Sequence, residues 1–448
     1  MSVSPLFQAL WDEQGFKDLS PIQEAVYQPL KQDKSILGLA PTGSGKTLAF
    51  SLPLLEKIMP GEGLQVLILA PSQELVIQTR DVIQPYAKAI DCNVQAITGK
   101  ANVKRQIERL KAKPEIIVAT TGRLLELSEQ RKIKFHTLQA IIMDEADELL
   151  TDSGLSETRH IVQESPADVQ LGFFSATSTD TLTDLETWFG VPIETIDVRS
   201  IDKTGGDVLH AFIPTGNAQK VNVLRHLAHQ KNFRGLVIFN QSAQLLQAAQ
   251  TLKHQKVTYA ALSGQGRQTE RQKALKDFRE GKIQLLLATD VAGRGLDITD
   301  LPYVINFDVP NAKITYIHRA GRTGRMGREG TVLTLGNQHD GRNLRKLLAP
   351  EYDLVTRYLV GDHLEETKPA VVKEAAPVQK NAATPTQQPT KTPVADDKPM
   401  GERSKTKVAK KPVPTRQPAE PLKPKRKKNR KRDQKNKGYH KKNKDLTV

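Results

Sequence analysis

Between Ser35 and Gly336 the chain alternates short apolar runs with longer stretches of mixed polarity. The first series of runs is "SILGLA" from Ser35, "LQVLILA" from Leu64, "EIIVAT" from Glu115, "LQAIIMD" from Leu138 and "VQLGFFSAT" from Val169. A second series reads "GLVIFN" from Gly235, "VTYAAL" from Val257, "IQLLLATD" from Ile283, "YVINFD" from Tyr303 and "GTVLTLG" from Gly330. Aliphatic and β-branched residues in unbroken runs, without period-2 alternation, predict strands covered on both faces, which means a parallel sheet between layers of helices. Strand then helix, repeated, predicts right-handed βαβ units. The polar, Gly-containing stretch "DVRSIDKTGGDV" (Asp197 to Val208) interrupts the series. The pattern therefore predicts an α/β protein of two tandem domains, over residues 1–200 and 208–360, each a mostly parallel sheet with helices on both faces. Past His363 the text turns to "KPAVVKEAAPVQKNAATPTQQPTKTPVADDKP", without an aromatic residue, and then to the block "KPKRKKNRKRDQKNKGYHKKNK". Such composition cannot bury enough apolar surface to offset its ordering entropy, so residues 363–448 are expected to form a disordered basic tail.

Composition supports this division. A chain of 448 residues is long enough for two domains with separate cores. The formal charge is +16, and residues 403–448 hold 19 Lys or Arg against 3 Asp or Glu, so residues 1–402 are balanced and the excess lies in the tail. The single cysteine, Cys92, allows no internal disulfide; the start "MSVSPLFQAL" lacks the features of a signal peptide, and no run of about 18 apolar residues occurs. These observations point to a reducing, cytoplasmic setting with no membrane span.

Chemistry enters at "APTGSGKT" (Ala40 to Thr47), which follows one apolar run and opens the helical stretch "LAFSLPLLEKI". In that context Ala40, Pro41, Thr42, Gly43, Ser44 and Gly45 form a loop whose N–H groups can curl around phosphates at a helix N-terminus. Lys46 would reach the β and γ phosphates, and the Thr47 hydroxyl would bind Mg²⁺. Such a loop needs an acidic partner from another buried strand, and "IIMDE" supplies Asp144 for the metal, partly through water, and Glu145 to orient or deprotonate an attacking water. Acids that merely decorate a helix N-terminus for its dipole explain one or two of these carboxylates but not the phosphate loop.

With "DEAD" (Asp144 to Asp147) joined to that loop and to "SAT" (Ser175 to Thr177), the sequence resembles the DEAD-box RNA helicases over roughly residues 7–340. The resemblance implies two RecA-like domains that close over ATP, Mg²⁺ and RNA. "GFKDLSPIQ" (Gly15 to Gln23) is similar to the family's Q motif, in which Phe16 packs on adenine and Gln23 reads its edge; Leu19 stands where a Pro is usual. "LATDVAGRGLD" (Leu287 to Asp297) resembles the motif whose Thr289 and Arg294 touch RNA phosphate and whose Asp297 contacts the nucleotide ribose. "HRAGRTGR" (His318 to Arg325) resembles the arginine-finger motif, and Arg322 and Arg325 are fork donors suited to the charge on a γ-phosphate; they would converge if that stretch began a helix. By the same resemblance Asp147 is a coupling residue, bonded to Ser175, Thr177 and His318.

On the RNA side the resemblance implies contacts from Pro71, Gln73, Gly99, Thr121, Gly122, Arg123, Gln268 and Arg271. Departures cluster here: "PSQEL" puts Gln73 where the family has Arg, "TGK" puts Lys100 where it has a second Gly, "TTGR" replaces "TPGR", and Ser263-Gly264 replaces His-Gly. They predict weak intrinsic RNA affinity in the core with the ATP chemistry intact.

The implied activity is an RNA-dependent ATPase that locally separates short or structured duplexes with little sequence preference. An ATP-gated RNA clamp shares the same pocket, and a DNA translocase of the wider superfamily fits the motif set less well. The tail suits either RNA phosphates or docking onto ribosomal or RNA-decay proteins, and with Tyr439 as the only aromatic in residues 403–448 it lacks a base-stacking platform. A tail that tethers RNA would raise its local concentration at the core. Deleting residues 403–448 should then raise the RNA concentration needed for half-maximal ATPase and flatten its salt dependence; an unchanged titration would leave the tail without an RNA role.

Overall fold

The computed structural model describes residues 3–262, 268–290, 301–325 and 327–367, with Asp152, Gln268 and Thr269 in backbone only. The expected Arg294 and Asp297, the side chain of Gln268, the Ser263-Gly264 pair and the tail from residue 368 lie outside the described residues. Two seven-stranded sheets carry the fold, and all their pairings are parallel.

The first lobe contains β1 (Ile36–Leu39), β2 (Val66–Leu69), β3 (Val94–Ile97), β4 (Ile116–Ala119), β5 (Ala140–Asp144), β6 (Gln170–Ser175) and β7 (Glu194–Asp197), in spatial order β3-β4-β2-β5-β6-β1-β7. The second contains β8 (Val208–Pro214), β9 (Gly235–Phe239), β10 (Tyr259–Leu262), β11 (Leu285–Thr289), β12 (Tyr303–Asn306), β13 (Gly330–Gly336) and β14 (Val355–Thr356), in order β10-β11-β9-β12-β13-β8-β14. Successive residues of a strand enter cores on opposite faces, as the strand period of two requires. Val66 and Ile68 of β2 join the cluster of Phe50 and Phe174, while Leu67 and Leu69 join that of Phe173 and Leu127. The second lobe does the same with Val237 and Phe239 against Leu236 and Ile238. This double burial is why the runs read as continuously apolar.

Residues 198–207 join the lobes, and backbone hydrogen bonds tie this largely exposed joint to the second lobe. The Gly206 N–H donates to the Gly324 carbonyl at 2.9 Å, and the Gly327 N–H donates to the Thr204 carbonyl at 3.1 Å. The expected tail boundary at His363 shifts slightly, because a last hairpin pairs Tyr358–Val360 with His363–Glu365. The Asp362 carboxylate holds it to the second lobe through His226 Nδ1 at 2.6 Å. No helix among the described residues is long and apolar enough to cross a membrane.

Phe174 illustrates how the first core is filled. Its ring tilts against Phe50 with centroids 5.1 Å apart, and it occupies the space beside Gly38, where a Cβ would lie 2.8 Å from its Cε1. Phe174→Ala should lower the stability of this lobe by roughly 3–5 kcal/mol through lost burial plus a residual cavity. Urea unfolding should show a lower midpoint at unchanged m-value.

Candidate functional site

In a parallel sheet, loops after the strands converge at the carboxyl edge, where ligands bind. Here the order of the strands sorts those loops. The loops after β1, β5 and β6 hold the Ala40–Gly45 turn, the Asp144–Asp147 carboxylates and Ser175–Thr177, whereas those after β3, β4 and β2 hold Gly99, Thr121 to Arg123 and Pro71 to Gln73. The residues expected at the nucleotide and those expected at RNA therefore occupy adjoining halves of one edge.

On the nucleotide half, Gly43 and Gly45 have φ of +84° and +85°, which lets the loop turn onto the helix Lys46–Leu55. Lys46 is half-buried, and its Nζ donates to the carbonyls of Ala40 and Pro41, both at 2.8 Å. Burial lowers its pKa against the opposing pull of Asp144, Glu145 and Asp147. The Q-motif stretch is stitched to this loop. Ser20 Oγ donates to the Ser44 carbonyl at 2.7 Å, Gln23 Oε1 accepts from Ser20 N–H at 2.9 Å, and Gln23 Nε2 reaches the Gly45 carbonyl at 3.3 Å. Gln23 keeps one further amide hydrogen and one lone pair for a ligand. Phe16 tilts on Trp11 with centroids 4.8 Å apart and lines the same cavity.

The three carboxylates separate because the backbone reverses between them. Glu145 has φ +47°, a left-handed conformation that a side chain adopts at a cost of about 1–2 kcal/mol. Asp144 points to one side, accepting from the Glu145 N–H at 3.0 Å and the Thr79 hydroxyl at 3.4 Å. Its carboxyl is pushed up to about 7 by burial and by the charge of Glu145, which outweigh Lys46. Burial also raises the Glu145 carboxyl against the pull of Arg322, and its Oε2 is buried without a hydrogen-bond partner among the described residues. Carboxylates so short of positive charge, beside the Thr47 hydroxyl, fit a hard divalent cation that takes its remaining ligands from water and phosphate. No group of three or more His, Cys, Asp or Glu able to hold a metal occurs among the described residues.

Asp147 faces the second lobe. Its Oδ2 accepts from the Thr177 hydroxyl and from His318 Nε2, the latter at 3.0 Å. The Ser175 hydroxyl donates to the Thr177 carbonyl at 2.7 Å and accepts from the Thr177 N–H at 3.0 Å, supporting the contact from behind. Glu148 adds a bond that the motif pattern did not reveal, because its Oε1 takes His318 Nδ1 at 2.5 Å. Burial alone would lower the His318 pKa, but the bonds to Asp147 and Glu148 outweigh it and lift it to about 10. The same imidazolium, with Thr177 and Ser175, overcomes burial and holds Asp147 below its ordinary range.

Arg322 and Arg325 also come from the second lobe. They lie in the turn that follows helix Lys313–Ala320 rather than at a helix start, and the turn itself makes them converge. Arg322 Nη2 is 4.0 Å from Glu145 Oε1. Arg325 is braced by donation from Nε to the Gly321 carbonyl at 2.8 Å and lies against Gly43 of the phosphate loop, where a Cβ would be 3.3 Å from its Cγ. At Gly321 a Cβ would stand 2.1 Å from Thr42 Oγ1, so only glycine allows this approach of the lobes. A cavity of about 1290 Å³ lies between these groups, bounded by Phe16, Gln23, Lys46, Glu145, His318 and Arg325.

Of the residues expected at RNA, several serve the protein's own framework here. Arg271 Nη2 pairs across the lobes with Glu74 Oε1 at 3.3 Å. Arg123 is turned inward, its guanidinium donating to the carbonyls of Thr98, Gly99 and Ala101 and to Glu126. The Thr121 hydroxyl donates to Glu157. Gly122 is exposed, Pro71 and Gln73 are half-buried, and Thr289 ends β11 on the corresponding edge of the second sheet.

Comparison with known proteins agrees with this geometry. A family model described as DEAD/DEAH box helicase matches residues 20–185, and one described as helicase conserved C-terminal domain matches residues 219–327. The chain is 34% identical over 377 residues to the DEAD-box ATP-dependent RNA helicase CshC of Bacillus cereus, covering 84% of this chain and 97% of the relative. It is 37% identical over 341 residues to the probable ATP-dependent RNA helicase YfmL of Bacillus subtilis, covering 76% and 90% respectively. The solved structure of S. cerevisiae Dbp5 bound to RNA and ADP BeF3 matches with a TM-score of 0.72 at 27% identity, covering 80% of this chain and 94% of the other. Two matched domains in this order, with such identity over most of the chain, make the protein a member of the DEAD-box helicase family.

Proposed function

We propose that this chain is an ATP-dependent RNA helicase, a cytoplasmic RNA-dependent ATPase that couples hydrolysis to closure of its two lobes over RNA. The observation that carries this reading is the meeting of three cationic side chains of the second lobe, His318, Arg322 and Arg325, with the carboxylates and phosphate loop of the first. The names of the relatives, and a similar structure holding RNA and a nucleotide analogue, support it.

In this mechanism Phe16 and Gln23 hold adenine, and the turn from Ala40 to Gly45 wraps the phosphates with its N–H groups. Lys46 exchanges the carbonyls of Ala40 and Pro41 for phosphate oxygens. Thr47 and Asp144 would hold Mg²⁺, which when bound neutralises phosphate charge. Glu145, made more basic by burial, orients the attacking water and accepts its proton. Arg322 and Arg325 stabilise the charge of the transferring phosphoryl group, which they reach only when the lobes are closed. Asp147, Ser175, Thr177 and His318 report that closure between the catalytic carboxylates and the second lobe. RNA bridges the other half of the edge, so its binding favours the state in which the arginines are in place. Mechanical separation follows from closure, and release follows when hydrolysis removes the group that holds the lobes together.

Glu145→Gln should retain ATP and RNA binding and lose nearly all turnover. A duplex-separation assay with ATP and with a non-hydrolysable analogue tests the reading as a whole: strand separation should need hydrolysis for multiple rounds and fail to recycle in the variant. RNA-stimulated ATPase unchanged in Glu145→Gln would refute the assignment.

A second prediction concerns pH. His318 is raised from 6.5 to about 10 in the closed state, so the imidazolium contact is fully present below the ordinary value and is lost as pH rises through the raised one. RNA affinity measured with a non-hydrolysable analogue should therefore decline from about pH 7 to about pH 9, by up to about tenfold per unit. His318→Gln should bind more weakly but with a much flatter profile; a slope equal to that of the unaltered protein would remove this role.

A further inference from the structure

Helix Val103–Leu110 buries Gln106 and packs its apolar side against the edge strand β3. From Lys100 to Lys113 the chain carries six basic residues and one acidic residue, Glu108, although residues 1–402 as a whole are balanced. Lys104, Arg105, Arg109, Lys111 and Lys113 are exposed, and Glu108 pairs with Lys111 at 2.8 Å. A local excess of this size on a neutral body is an electrostatic footprint for a polyanion.

The strip is also held in place. Buried Gln106 accepts from the Thr98 N–H at 2.9 Å and donates to the carbonyls of Thr98 and Ala101 at 3.2 and 3.3 Å. Asn102 caps the helix by accepting from the Arg105 N–H at 3.2 Å. Arg123, adjacent in sequence to Thr121 and Gly122, donates to three carbonyls of the same loop. The basic face is thus fixed to the β3 and β4 loops, at the outer end of the row of RNA residues. Among the described residues β3 is the outermost strand of the first sheet at this end.

We propose that the exposed face of this helix is an auxiliary phosphate-binding strip that takes the RNA backbone running off the first lobe, past the segment held between the lobes. The inference rests on the RNA-helicase reading above. It gives the strip the sequence-independent electrostatic affinity that Gln73, standing where the family has Arg, does not supply.

The test uses the full-length chain carrying Lys104→Glu, Arg105→Glu and Arg109→Glu. A control with Lys231→Glu, Lys253→Glu and Lys256→Glu makes the same charge change at exposed positions of the second lobe. RNA-stimulated ATPase is titrated with RNA over a range of salt concentrations. For three single-strand phosphate contacts, the slope of log affinity against log salt should become shallower by about 2 in the strip variant. The control should keep the slope of the unaltered protein. The loss should appear with long RNA, and a short oligonucleotide that fills only the core should bind all proteins alike. ATPase without RNA should not change, and retained ATP affinity shows that the variant is folded. A milder Lys104→Gln, Arg105→Gln change should flatten the slope less, in the same direction. A strip variant with an unaltered slope, one indistinguishable from the control, or an equal loss on short RNA would overturn the strip while leaving RNA stimulation of the unaltered protein intact. Absence of that stimulation in the unaltered protein would instead overturn the helicase reading, and this inference with it.

Discussion

A charge taken out of water is tolerated only beside its counter-charge, and this constraint governs the meeting of the two lobes. The first lobe gathers Glu74, Glu145, Asp147 and Glu148 on one surface, and the second brings Arg271, Arg322 and His318 to meet them. Separated, the carboxylates would repel one another and draw water; the three cations of the second lobe offset much of that charge. The strained backbone at Glu145 and the glycine at residue 321 follow from the same requirement. One aims successive carboxylates in different directions, and the other clears room for the approach of Thr42.

The sheet supplies the second organising fact. Because every strand of the first lobe runs parallel, all its functional loops emerge on one edge, and the spatial order of the strands sorts them into two halves. The two halves share rigid strands and a common core, so neither can move independently of the other. The joint between the lobes belongs to this arrangement as well. Its residues 204 and 206 hydrogen-bond to the turn that carries the arginines, so a change in the joint changes where those arginines stand.

Much of this was legible in the sequence, for a physical reason. Strands buried on both faces must be apolar throughout, so β1, β2, β4, β5, β6, β9, β11, β12 and β13 announce themselves, and the phosphate loop is constrained by the chemistry of its ligand. Edge elements obey looser rules. β3 alternates because only one face is strongly buried, and β7 reads "ETID" because it is largely exposed. β8, inside the second sheet, was obscured for another reason, since it begins at Val208, where the polar joint ends. Site residues whose partners lie far away along the chain were equally hidden. Nothing near Glu148 indicates a bond to a histidine 170 positions later, and nothing near Arg123 shows that it faces inward onto its own loop. Glu148 carried one faint signal, namely its place in a run of acids longer than metal binding and water activation require.

The two halves of the carboxyl edge also impose a thermodynamic symmetry. Both sets of loops meet the second lobe through the same rigid sheet, so nucleotide and RNA draw on a single closing equilibrium rather than on two. Whatever factor one ligand contributes to the affinity of the other must be returned in equal measure. The strength of the Glu74–Arg271 and Asp147–His318 contacts thereby sets an upper limit on how far either ligand can prepare the protein for its partner.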